Sequence, residues 1–191
     1  LNVHEVAEAA CEAMRPSLSQ TRQLEIHNDI PERMAPVHAD FSRMKQVLVN
    51  LIGNAVKFTE QGHIRVSAEM DEENLRVTVA DTGCGIPYEH WDEVWLPFRQ
   101  LDMSSTRKHG GTGLGLSLVK ELVEAHGGHV GVASDVQGPE RGSAFFFTIP
   151  LSRNRSSSLS PSRSDDDSPL AAARSGAAPA TPTATSGLRE S

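Results

Sequence analysis

The chain has 191 residues, 38% of them hydrophobic, and a formal net charge of -7, enough for one ordinary domain whose core needs no disulfide to hold it. The acidic balance excludes a general nucleic-acid or membrane-surface binder. Cys11 and Cys84, two cysteines in unlike contexts, exclude a disulfide framework and a zinc cluster and point to a reducing compartment, the cytoplasm fitting best.

No run approaches the roughly 18 apolar residues that span a bilayer, and the first ten residues lack a basic-then-apolar leader. The chain does not begin with Met, so we expect a piece of a longer protein, with anchors or sensors upstream. Residues 1–17 carry Val3, Val6, Ala7, Ala10, Ala13 and Met14 at helical spacing, with Pro16 as the stop. Residues 24–28 alternate as a strand, Asp29-Ile30-Pro31 breaks it, and a second short piece follows near Val37. Asp40 reads as the N-cap of a helix over 42–59, which buries Met44, Val47, Leu48, Leu51, Ile52, Ala55 and Phe58 and stops at Gln61-Gly62.

Ile64, Val66, Ala68 and Met70 then alternate with polar residues; Asp71-Glu72-Glu73-Asn74 turns the chain, and Leu75, Val77 and Val79 keep the rhythm. This is an antiparallel hairpin with one buried face, whose second strand runs directly into Asp81. Residues 99–112 are a polar, basic connection without periodicity. A helix over 114–126 ends at Gly127-Gly128, and 130–133 and 143–149 supply two closing strands. The fold class is α/β, a two-layer sandwich of a mixed β-sheet with helices on one face, over residues 1–151. Residues 152–191 are Ser, Ala, Pro, Thr, Arg and Asp with only Leu159, Leu170 and Leu188 as large apolar groups, which predicts a disordered tail or linker.

Three short motifs stand in order along the domain. Asn50, Asn54 and Lys57 fall at i, i+4 and i+7 and project from one helix face beside the apolar stripe. An Asn amide oxygen is a hard neutral donor suited to Mg²⁺, and Lys57 offers phosphate a counter-charge; the plainer alternative is a solvated face. Asp81 at a strand end can accept a hydrogen bond from the exocyclic amine of adenine, with Gly83 and Gly85 letting backbone approach a flat ring; alone, this is a turn after a strand. Gly111, Gly113 and Gly115 alternate with Thr112 and Leu114 ahead of an amphipathic helix, so backbone N–H groups and the helix dipole face polyphosphate together. No Gly-Lys-Ser/Thr closes that run and no βαβ unit surrounds it, so it is neither a Walker loop nor a dinucleotide fingerprint. Residues 99–110 read as a lid hinged on these glycines, with Arg99, Arg107 and Lys108 able to meet phosphate.

At this point the residues resemble a known family. The stretch from Asn50 through Asn54 and Lys57 to Phe58 resembles the N box of sensor histidine kinases; Asp81-Thr-Gly-Cys-Gly-Ile86 the first glycine box; Pro97-Phe98-Arg99-Gln100 the F box; and Gly111-Thr-Gly-Leu-Gly-Leu116 the second glycine box. The likeness spans residues 1–151 and implies the Bergerat ATP-binding fold shared with gyrase, mismatch-repair ATPases and the ninety-kilodalton heat-shock chaperone. It implies ATP and Mg²⁺ as ligands. Asn54 would bind the metal, Lys57 and Arg99 the phosphates, Phe58 and Ile86 the nucleoside, and Asp81 the adenine amine. Phe98 and the residues Gly111, Thr112, Gly113, Leu114, Gly115 and Leu116 would shape the pocket and its lid.

The ATPase branches of that superfamily carry a glutamate one turn before the magnesium asparagine, and here the position is Asn50. An amide cannot take the proton of an attacking water, so phosphoryl transfer to a side chain is the better reading. The acceptor histidine is expected elsewhere, because only about 50 residues precede Asn50, and His4-Glu5 lies in a segment too short for a two-helix hairpin. The implied partners are an acceptor-histidine helical domain upstream and a response regulator or fused receiver domain, with a homodimeric full-length protein and no nucleic acid or membrane touching this segment. Two other readings stay open: a nucleotide-gated interaction module without transfer, and a serine kinase of the anti-sigma type.

Overall fold

The computed structural model describes residues 1–18, 23–100, 112–138 and 141–151. The chain divides into two units, Leu1–Asn154 and Arg155–Ser191; the expected tail, residues 152–191, lies outside the described residues. Helix α1, Val3–Met14, begins where the Asn2 side chain accepts from His4 N at 3.0 Å and gives way to a 3₁₀ turn at Arg15–Ser17, because Pro16 cannot donate to an α-turn. It buries Val3, Val6, Ala7, Ala10 and Cys11, whereas Ala13, expected inward, is exposed.

Strand β1 is Leu24–Asn28. The piece expected near Val37 is not a strand: Val37 is buried in a loop and its amide donates to Leu1 O at 3.0 Å. Helix α2, Phe41–Phe58, starts at the predicted cap, with Asp40 Oδ1 accepting from Arg43 N at 2.8 Å. Its buried face is Met44, Val47, Leu48, Leu51, Ile52, Ala55 and Val56. Phe58, expected in that face, is 37% exposed, because the apolar stripe rotates past it to Val56 in the last turn.

Strands β2 (Gly62–Met70) and β3 (Asn74–Asp81) form the antiparallel hairpin, running from Ile64 opposite Asp81 to Met70 opposite Leu75. After two 3₁₀ turns, Tyr88–His90 and Glu93–Trp95, come α3 (Gly115–Ala125), β4 (Val130–Asp135) and β5 (Gly142–Pro150). The sheet order is β1-β2-β3-β5-β4, with β1 and β2 parallel and the other pairs antiparallel. Parallel neighbours require a crossover, and α2 supplies it.

Ile64, Val66, Leu75, Val77, Val79, Phe145, Phe147 and Ile149 alternate inward from the strands and bury against Val47, Leu48, Leu51 and Ile52 of α2. With α1 and α3 on the same layer, this is the mixed two-layer sandwich expected, the Bergerat architecture. It delivers the end of β3, the polar flank of α2 and the start of α3 to one place.

Candidate functional site

Gly115, the first residue of α3, abuts both amides of the N box. A Cβ built on it would lie 3.8 Å from Asn50 Oδ1 and 4.0 Å from Asn54 Nδ2. The structure therefore brings together Asn50, Asn54 and the second glycine box, three points that sequence spacing alone could only place in order. The α3 N-terminus has Leu114 at its cap with no side-chain hydrogen bond to its amides, so no acceptor of its own neutralises the positive helix end there. Asn50 Nδ2 is buried without a hydrogen-bond partner, and an orphaned buried donor costs about 1–3 kcal/mol. A donor held at that expense beside a helix N-terminus fits an anionic ligand.

Asp81 closes β3 with a largely buried carboxylate. Its Oδ1 accepts from Gly83 N at 2.8 Å. Burial raises its pKa above the ordinary carboxylate value, and the Gly83 and Ser143 backbone donors and the Thr59 hydroxyl oppose that rise. Cys84 is pushed up by burial first and then by the Asp81 charge, which keeps it a thiol rather than a reactive thiolate.

Gly83 and Gly85 are both packed closely on the side where a Cβ would sit. A Cβ at Gly83 would meet Phe58 O at 2.6 Å and Asp81 Oδ1 at 2.7 Å; at Gly85, where φ is +74°, it would meet Asp135 O at 2.1 Å. The space a side chain would need there is taken by this protein's own atoms, backbone and side chain at Gly83 and backbone at Gly85. Ile86 is fixed by two bonds, its N donating to Ser134 Oγ at 2.7 Å and its O accepting from Trp91 Nε1 at 3.0 Å.

The remaining expected residues are placed more loosely. Lys57 Nζ sits over the Phe58 ring, 4.7 Å from its centroid, and partial burial lowers its pKa from the usual lysine value. Phe98 is 75% exposed with a positive φ of 60°, and its N donates to Gly113 O at 2.9 Å, tying the F box to the second glycine box. The Arg99 side chain pairs with Glu93 Oε1, at 3.4 Å. Thr112 and Leu114 are exposed and Leu116 half-buried, while Gly111, Arg107 and Lys108 lie outside the described residues. His4 Nδ1 donates to Ile30 O at 2.6 Å, a packing role for the residue set aside as an acceptor.

Sequence reasoning missed Thr59, Ser143, Ser134 and Glu93. The first two surround Asp81, the third holds Ile86, and the last holds Arg99. None carries a motif, and their partners come from other strands and turns. Among the described residues no group of three or more His, Cys, Asp or Glu side chains is placed to hold a metal. No helix among the described residues is long and apolar enough to cross a membrane.

Residues 39–153 match the family of histidine kinase-, DNA gyrase B- and HSP90-like ATPases. An uncharacterised sensor-like histidine kinase of Rhizobium meliloti is 40% identical over 143 residues, covering 74% of this chain and 27% of that protein. The structure of full-length ShkA in complex with AMPPNP superposes with a TM-score of 0.69 at 32% identity, covering 79% of this chain and 30% of that one. The nucleotide-free catalytic domain of the histidine kinase ThkA superposes at 0.63 with 30% identity, covering 78% of this chain and 95% of that domain. The chain spans 7% of the length of one curated relative it matches and 27% of that of another. Four boxes in order, their convergence on Gly115 and Asp81, and these likenesses together place the chain in the histidine kinase-, DNA gyrase B- and HSP90-like ATPase family, as an ATP-binding catalytic domain of the sensor histidine kinase type.

Proposed function

We propose that this domain binds ATP with Mg²⁺ and transfers the γ-phosphoryl group to a histidine on an acceptor helical domain elsewhere in the full-length protein. The observation that carries the reading is the meeting of Asn50, Asn54 and Gly115, in which the residue one turn before Asn54 is a buried amide rather than a carboxylate. Water must lose a proton to become a competent nucleophile, and Asn50 cannot take it. A neutral imidazole attacks with a lone pair it already has. The N–P bond forms as the bond from phosphorus to the ADP oxygen breaks, and ADP carries away the electron pair.

Asn54 is the residue to hold Mg²⁺ through its side-chain oxygen, alongside phosphate oxygens, and the ion supplies neutralisation of polyphosphate charge. The α3 N-terminus at Gly115 adds backbone donors and a positive helix end, and Asp81 accepts from the adenine amine. Lys57 and the F-box Arg99 are positive groups at the margin; Arg99 must leave Glu93 to reach phosphate. Its exposed pair at 3.4 Å is of the kind worth about 0–1 kcal/mol, a small barrier to that move. In the whole protein the acceptor domain and a response regulator or fused receiver domain complete the relay. ATP titration by calorimetry with and without Mg²⁺ tests the assignment. Asn54→Ala is expected to abolish the Mg²⁺-dependent part of the affinity, about tenfold or more, which is 1.4 kcal/mol per decade; an unchanged Mg²⁺ dependence contradicts the metal role.

A further inference from the structure

Thr59 ends α2. Its amide closes the last turn onto Ala55 O at 3.0 Å, and the residue is 0% exposed. Its hydroxyl Oγ1 has no hydrogen bond that meets good geometry. Valine would fill the same volume without burying an unsatisfied polar group, so packing alone does not account for threonine here. Beside it lies the Asp81 carboxylate. The point that a Cβ on Gly83 would occupy is bounded by Phe58 O at 2.6 Å, Asp81 Oδ1 at 2.7 Å and Thr59 Oγ1 at 3.0 Å. Of these three oxygens only the hydroxyl can donate. Gly83 N already donates to Oδ1 at 2.8 Å and the Ser143 backbone donates to the same carboxylate, so the Thr59 hydroxyl adds a third donor.

We propose that Thr59 is a positioning residue for base selection: its hydroxyl donates to Asp81 and, with Gly83 N, holds the carboxylate ionised with one oxygen turned to the purine 6-position. The inference rests on the reading that Asp81 accepts from adenine. An ionised carboxylate accepts from a 6-amino group and repels a 6-oxo group, whereas a neutral carboxylic acid can donate to the oxo group. Thr59 thereby contributes to choosing ATP over a 6-oxopurine nucleotide. The Thr59 hydroxyl and the Gly83 and Ser143 backbone all act in the direction of the ionised carboxylate, against its burial.

The test uses the whole chain and titrates it with ATP and with inosine triphosphate, which carries the 6-oxo group. Thr59→Val is expected to weaken ATP about tenfold, the scale of one charge-assisted hydrogen bond, and to leave inosine triphosphate affinity unchanged or higher. Thr59→Ser is expected to restore the preference for ATP, an outcome that a packing role for the methyl group does not produce. Should Thr59→Val fold poorly, Thr59→Cys against Thr59→Ser carries the same comparison, with preference kept in the serine variant and reduced in the cysteine variant. A parent chain without preference for ATP removes Asp81 from base recognition and the proposal with it. A parent that prefers ATP, beside valine or cysteine variants that keep both affinity and preference, overturns the role of Thr59 alone and leaves the reading of Asp81 standing.

Discussion

With the adenine-accepting role proposed for it, Asp81 pulls stability and ligand recognition in opposite directions. Burial raises its folded pKa above the ordinary carboxylate value, while the unfolded chain keeps the ordinary value. Through the window between the two, the folded state holds a proton that the unfolded state has released, so stability falls as pH rises. Above the window the ionised group is a standing cost that Gly83, Ser143 and Thr59 only partly offset. Asp81→Asn keeps an acceptor for Gly83 N and removes the charge. Melting at neutral pH is expected to rise, by about 2–4 °C for each kcal/mol regained in a domain of this size, while ATP affinity drops about tenfold or more. The melting gap is expected to close as pH falls through the window toward the ordinary carboxylate range, and ATP affinity of the parent to fall over the same range. A variant that melts lower, with unchanged affinity, contradicts both halves. The sequence marked Asp81 by its place at a strand end, but Thr59 and Ser143 were invisible because each reaches Asp81 only after α2, β3 and β5 have packed.

Among the elements, α2 was the most legible, since a cap, an 18-residue amphipathic run and a stop all agree. The strands read almost as well from alternation, yet alternation says nothing of pairing, and the parallel match of β1 with β2 follows from the α2 crossover rather than from any residue in β1. Val37 shows the limit from the other side: a buried apolar residue in a loop looks locally like strand, and its real partner is the chain terminus at Leu1. The glycines of the first box also answer to tertiary contact, which the sequence does not display. Gly85, with φ of +74° and the Asp135 carbonyl 2.1 Å from any added Cβ, joins the β3 exit to the end of β4. Gly85→Ala is expected to destabilise the domain by about 1–3 kcal/mol through strain and overpacking, read as a shift in the urea midpoint. An unshifted midpoint contradicts the close approach.

For the molecule as a whole, the order of boxes along the chain became a candidate site because α2 and α3 meet at Gly115, and on the proposed reading that meeting puts an amide where a hydrolase needs a base. On the proposed reading the domain is a donor half whose acceptor histidine lies on another domain. Asn50→Glu is expected to raise phosphate release from ATP above the parent's background, since it restores a carboxylate beside the nucleotide. The most direct measurement follows the γ-phosphate of labelled ATP when the chain is mixed with a histidine-bearing two-helix acceptor domain from a relative and Mg²⁺. Label is expected on the acceptor in an acid-labile, base-stable form, as a phosphorus–nitrogen bond requires, with free phosphate near background. Rapid release of free phosphate by the chain without acceptor would contradict a pocket built for transfer.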